Sequence, residues 1–163
     1  MITTAEQYNA HLHLIYNNNP PTYAALPDAD NIYNIDIRTR EIDAPRFLSV
    51  EKDHESETIY FIIDRYAGYM DLSKVNCVIY YTNANKKSYA YAVPFYDIYT
   101  YSHVNKMIIP WCLDRTVTEG QGTVEFFIQF FLIKEGEDES ENVFSYILNT
   151  LPAKSQILKG MTV

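Results

Sequence analysis

The chain has 163 residues, 47% of them hydrophobic, with 13 Lys and Arg against 21 Asp and Glu, a formal balance of 13 − 21 = −8. That length fits one domain plus an arm, and folding should bury roughly 70% of the unfolded surface. The negative balance disfavours nucleic acid and anionic membrane surfaces as partners, since both need clustered Lys and Arg, and the Lys86-Lys87 doublet is too small to reverse it.

Residues 1–16 lack the basic start and long apolar run of a signal peptide, and carry Glu6, Gln7 and Asn9 instead. No stretch approaches the roughly 20 apolar residues of a membrane span. Cys77 and Cys112 are too few for a disulfide scaffold. The expectation is a protein made in a cytoplasm and kept soluble. Fifteen tyrosines stand beside one tryptophan and five glycines. Tyrosine is apolar with a polar tip and suits half-buried strands and wet interfaces.

Thr3 or Thr4 can cap a short helix, with Gln7 three residues after Thr4 as in a capping box. Ala5, Tyr8, Leu12 and Ile15 follow at heptad-like spacing and form an apolar stripe. A helix this short is marginal alone, so the stripe must dock on its own domain or on a neighbouring chain. Asn17-Asn18-Asn19-Pro20-Pro21 ends it, and residues 17–34 read as an extended linker. The predicted division is therefore an N-terminal helix and arm at 1–34 and a sandwich domain at 35–163.

From residue 35 the β signals recur. Residues 36–42 alternate as a strand or hairpin. Residues 57–64 form a strand with Ile59, Phe61 and Ile63 inward, and residues 65–74, containing Gly68, form a long loop. A strand at 75–82, with Cys77, Ile79 and Tyr81 on one face, turns through 83–88 into a strand at 89–93, as in a hairpin. Residues 95–101 give a further strand. Residues 106–113 alternate with Ile109, Trp111 and Leu113 inward. Pro110 has no donor and predicts an edge or a kink there. Residues 114–122 read as a loop.

Residues 122–133 are the organising strand. Val124, Phe126, Ile128, Phe130 and Leu132 share a wholly apolar face, while Glu125, Phe127, Gln129, Phe131 and Ile133 form a mixed face that is half covered or touches a partner. So apolar a strand belongs at the centre of a sheet, because a free edge would invite aggregation. An acidic turn at 135–141, a strand at 143–150 and a tail at 151–163 complete the chain. Some seven short strands with no long central helix predict a mainly β, two-layer antiparallel sandwich.

Chemistry is sparse. Neither a Gly-rich phosphate loop nor a nucleophile elbow is present. His11 and His13 point about 160° apart on a helix and cannot chelate one ion. His54 and His103 have no ligand at metal spacing. Cys77 and Cys112 read as buried thiols, and the acidic run lacks the pattern of a calcium loop. The reading is therefore no catalytic residues, no metal and no cofactor. Tyr89, Tyr91, Tyr96, Tyr99 and Tyr101 crowd one region. They fit cross-strand packing, a protein interface or a sugar platform. The candidate partner-binding residues are Ala5, Tyr8, Leu12 and Ile15 of the stripe, these five tyrosines, and Phe127 and Phe131.

Several phrases, taken in order, carry a resemblance. They are Tyr8-Asn9, Arg40-Glu41-Ile42 before Phe47-Leu48-Ser49-Val50-Glu51, Ile59-Tyr60-Phe61, Asp71-Leu72-Ser73 and Tyr81-Thr82-Asn83-Ala84-Asn85. Pro110-Trp111-Cys112-Leu113, Gly122-Thr123-Val124-Glu125-Phe126 and Leu148-Asn149-Thr150-Leu151-Pro152-Ala153 continue the series. Over most of residues 35–160 the chain resembles a structural module of tailed phages and prophages of Gram-positive hosts, similar to the N-terminal domain of baseplate upper proteins. The resemblance implies an immunoglobulin-like sandwich in the virion that acts as a non-enzymatic adapter. It also implies virion proteins as partners and a homo-oligomer, with no nucleic acid and no membrane. A host-surface glycan is the alternative ligand, as for a carbohydrate-binding module. Baseplate upper proteins continue into further domains whereas this sequence ends at Val163, so the expectation extends to a small protein of a capsid, collar or tail.

Overall fold

A computed structural model of the chain describes residues 22–23, 31–93, 97–101, 104–135 and 142–160. The predicted stripe of Ala5, Tyr8, Leu12 and Ile15, most of the linker, Tyr96 and most of the acidic turn lie outside the described residues. The protein is mainly β, with thirteen strands among the described residues rather than about seven. The extra ones are mostly pieces of two to four residues inside segments that read as loops or linker.

Two sheets form the layers. The first is ordered β1 (Thr22–Tyr23), β9 (Asp97–Tyr101), β10 (Val104–Cys112), β4 (Thr58–Asp64) and β2 (Ile32–Asn34). The second is ordered β3 (Phe47–Val50), β13 (Ala153–Leu158), β11 (Gly122–Glu135), β7 (Asn76–Thr82) and β8 (Ser88–Ala92), with β12 (Asn142–Asn149) also on β11. A small ribbon pairs β5 (Tyr66–Ala67) with β6 (Met70–Asp71). The body of each sheet is antiparallel as expected. Three pairings are parallel instead: β1 on β9, β2 on β4 and β3 on β13. Each of these adds a short strand at a sheet edge after a long connection, the only kind of connection that permits a parallel neighbour.

The layers meet through large aromatic side chains. Trp111 of the first sheet lies 5.2 Å from Phe126 and 5.6 Å from Tyr81 of the second, ring centroid to centroid. Phe61 lies 5.8 Å from Phe126 and 6.3 Å from Trp111. Val124, Phe126, Ile128 and Phe130 are all buried, and Leu132 packs partly buried on the same core. The apolar face read from the sequence is thus the inner face of β11. Ile59, Phe61 and Ile63, then Ile109, Trp111 and Leu113, face it as predicted. Among the described pairings, β9 accompanies β10 only to Ile108, so Pro110 stands where β4 is the one neighbour. That is the edge-like position a donor-less residue requires.

β11 is central, with β7 along one edge. Its other edge is shared: β13 pairs with residues 122–126 and β12 with residues 129–135. The partner chain breaks between them at Thr150, Leu151 and Pro152. Thr150 fills the gap. Its N–H donates to the Ile128 carbonyl at 2.9 Å, and its hydroxyl accepts the Ile128 N–H at 2.8 Å. A hydroxyl here replaces a strand carbonyl, so the buried centre of β11 keeps its donor satisfied. Arg40, at φ 67°, closes the other side. Its carbonyl accepts the Leu151 N–H at 2.8 Å, and its guanidinium donates to the Asn149 carbonyl at 3.2 Å.

Phe126→Ala or Phe130→Ala should destabilise the protein by about 3–5 kcal/mol, since either leaves a large cavity between two layers. Denaturant melts check this, and losses below about 1 kcal/mol for both would contradict the inner-face assignment.

Candidate functional site

The tyrosines that crowd the sequence are divided by the fold. Tyr89 and Tyr91 lie on β8 in the second sheet, half-buried and turned inward against the core, with Tyr89 stacked on Tyr81 at 5.7 Å. Burial pushes the Tyr91 hydroxyl up in pKa, and a bond from the Cys112 backbone acts against it. Tyr99 and Tyr101 lie on β9, which belongs to the first sheet. Phe127 is on the outer face of β11, half-buried, its ring stacked on Tyr80 at 5.2 Å. Phe131 shares that outer face yet is only 4% exposed, so it offers little surface to a partner. Tyr89 and Tyr91 therefore occupy the face of the second sheet opposite Phe127.

A different region gathers polar groups. A cleft of about 770 Å³ is lined by residues of the turn after β2, by Asp43, and by Asp64 and Lys106 of the first sheet. Its charged groups are Asp36, Glu41, Asp43 and Asp64 against Arg38 and Lys106. Lys106 Nζ is paired with Asp64. Asp36 accepts the backbone N–H groups of Arg38 at 2.8 Å and Thr39 at 3.1 Å, and these bonds hold its carboxyl below the usual range. The turn is thereby fixed by its own first side chain.

The β5–β6 ribbon follows directly from Asp64. Arg65 donates two bonds to the Asp71 carboxylate, both at 3.0 Å, and both side chains are 15% exposed. Asp71 also caps the 3-10 turn Leu72–Lys74 through Ser73. A fork-to-fork pair of this kind fixes geometry as well as adding energy. Gly68, at φ 62°, turns the tip, and Tyr69 beside it is 98% exposed. By sequence alone residues 65–74 read as a long loop. The spacing of Arg65, Gly68 and Asp71 was the available sign that it folds back on itself.

Burial pushes the Cys77 thiol far up in pKa, away from the thiolate a nucleophile needs. His54 Nδ1 accepts the Arg115 N–H at 3.0 Å, a structural role. Among the described residues no group of three or more His, Cys, Asp or Glu is placed to hold a metal ion, and no helix is long and apolar enough to cross a membrane.

Burial raises the Asp71 pKa, but the bonds from Arg65 and Ser73 outweigh it and leave the carboxyl below its ordinary 3.8. A lowered folded-state pKa gives stability that is fully present above the ordinary value and is lost as pH falls through the lowered one. Asp71→Asn should therefore cost about 2 kcal/mol at neutral pH. The gap to the native protein should close as pH falls below 3.8, and parallel melts across acid pH check it.

No protein-family model matches the chain, and no curated protein sequence matches it. Among solved structures it is similar to the N-terminal domain of phage TP901-1 ORF48, with a TM-score of 0.43 and 7% sequence identity, covering 80% of this chain and 98% of that one.

Proposed function

We propose that the chain is a non-enzymatic structural or adapter protein of a phage particle, an immunoglobulin-like sandwich that assembles with other virion proteins and with copies of itself. It is made in the host bacterium's cytoplasm and resides in the virion, at a baseplate, tail, collar or capsid. The observation that carries this reading is where the phrases of the family resemblance fall. Leu148-Asn149-Thr150-Leu151-Pro152-Ala153 spans the break that Thr150 bridges. Tyr81-Thr82-Asn83-Ala84-Asn85 supplies the side chain that clasps the β7–β8 turn to the short helix α1 (Arg115–Thr118), through Asn83 donating to the Thr116 carbonyl at 2.9 Å. Pro110-Trp111-Cys112-Leu113 holds the tryptophan that joins the layers. These phrases are joints of the scaffold, which fits a module whose task is its shape.

A second reading is a carbohydrate-binding module for host-surface attachment. Tyr69 at 98% exposure and Tyr66 at 46%, on a ribbon that follows directly from the cleft residue Asp64, favour it, since exposed aromatic platforms suit sugars. Glycan binding by the purified protein that Tyr69→Ala abolishes would select this second reading.

The proposed anchor in the particle is the N-terminal arm with its stripe of Ala5, Tyr8, Leu12 and Ile15. Thr22–Tyr23 and Ile32–Asn34 pair with the first sheet although they precede residue 35, so a truncation that spares the sheet ends before Thr22. Removing residues 1–21 should leave a folded sandwich that no longer enters particles. A circular-dichroism melt beside an incorporation assay tests this. A truncated protein that unfolds makes the arm part of the fold. One that folds and incorporates at full occupancy removes the arm as anchor and shifts the role to the faces of the sandwich, the outer face at Phe127 first.

A further inference from the structure

β8 is an edge strand: β7 flanks it on one side, and no described strand flanks the other. Its ladder fixes which backbone groups are left over. The pairs bonded across to β7 include Asn83 with Lys87 and Cys77 with Val93. Bonded pairs alternate along an antiparallel ladder, so Tyr89 and Tyr91 also bond inward to β7. The N–H and C=O groups of Ser88, Ala90 and Ala92 point away from the sheet.

Three other described edges are guarded. β2 is three residues long, β3 shifts register against β13, and β12 shifts register against β11, with Arg40 bonded to its last residue. β8 has no such device. Five residues run without a bulge, a charge or a proline, although edges of this kind are normally blunted. The turn leading into the edge is braced. Asn83 accepts the N–H groups of Asn85 and Lys87, both at 3.0 Å, and donates to Glu119 at 2.9 Å. Lys87 Nζ, the charge adjoining the strand, is paired with Glu119 at 3.0 Å.

We propose that β8 is an interface between two copies of this chain, joined by antiparallel β8–β8 pairing about a two-fold axis through Ala90. The edge is complementary to itself in that register. Ala90 faces Ala90, and Ser88 faces Ala92, each pair exchanging two backbone bonds, about six in all. Every outward group of the strand is then satisfied. The exposed side chains on the outer face are Ser88, Ala90 and Ala92, small enough for close approach. No charge meets a like charge, because Lys86 and Lys87 of the two copies lie at opposite ends of the paired strands. A two-fold contact between identical patches closes on itself and produces a dimer rather than a fibre. The interface stands independently of the phage reading, since it rests on the edge alone.

Sedimentation equilibrium of the full chain over a dilution series tests it. The average mass should rise with concentration from 19.0 kDa toward twofold that value. Ala90→Pro removes an outward donor without breaking the β7 ladder and should hold the protein at the single-chain mass, with an unchanged melt. Ala90→Lys and Ala90→Glu should each be monomeric alone, since like charges would face one another, and should pair when mixed. A native chain that stays at 19.0 kDa at the highest concentration overturns the proposal. So does an Ala90→Pro protein that associates like the native one. Lys and Glu variants that fail to pair when mixed assign the edge to another partner and overturn it equally.

Discussion

A long strand buried in a sheet has hydrogen-bonding groups along both edges, and all of them in the interior need partners. β11 runs for fourteen residues, and meeting that demand shapes the second sheet. One edge is met by β7 along residues 125–131 in a continuous register. The other is met by a chain that breaks in mid-course, so its continuity depends on Thr150, whose hydroxyl does the work of a missing carbonyl. The turn carrying Arg40 then satisfies the backbone of the break itself. An N-terminal turn and a C-terminal break are thus bound together by β11's need for a complete ladder.

The rigid joints follow the same logic on a smaller scale. Asp114 caps the short helix by accepting the N–H groups of Thr116 at 2.9 Å and Val117 at 3.4 Å. Asn83 ties the hairpin to that helix. Gly120 lies so close to Asn85 that an added Cβ would collide with the Asn85 side-chain oxygen. Turns held this way transmit little freedom to the strands they join. The edge strand β8 and the Tyr69 ribbon each adjoin a hydrogen-bonded brace, and a pre-organised surface loses less entropy on binding.

The protein's interior and surface differ in character. Its one strongly perturbed thiol is buried and protonated, and its polar groups mostly brace turns. What it presents outward is a polar cleft, a fully exposed tyrosine on a braced ribbon, and an unguarded strand edge. Each has a different chemistry, carried on one small sandwich.

Much of the architecture was legible in the sequence because side-chain alternation is a local property. The two faces of β11, the inward set Ile59, Phe61 and Ile63, the β7–β8 hairpin and the edge-like place of Pro110 all follow from period two and from turn chemistry. Local rules also missed some local structure: the capped helix after Asp114 and the ribbon around Gly68 each lack an apolar period long enough to register. The candidate site was less legible. Tyr89 and Tyr99 are near in sequence, but their strands lie in different sheets. Phe131 is buried on a face that alternation could only describe as mixed. The cleft draws on residues from 34 to 106 that no spacing connects. Pattern within one strand decides which side chains share a face. Only the order of strands in the sheets decides what lies opposite that face and which edge stays open, because that order is set by pairings between segments far apart in the chain.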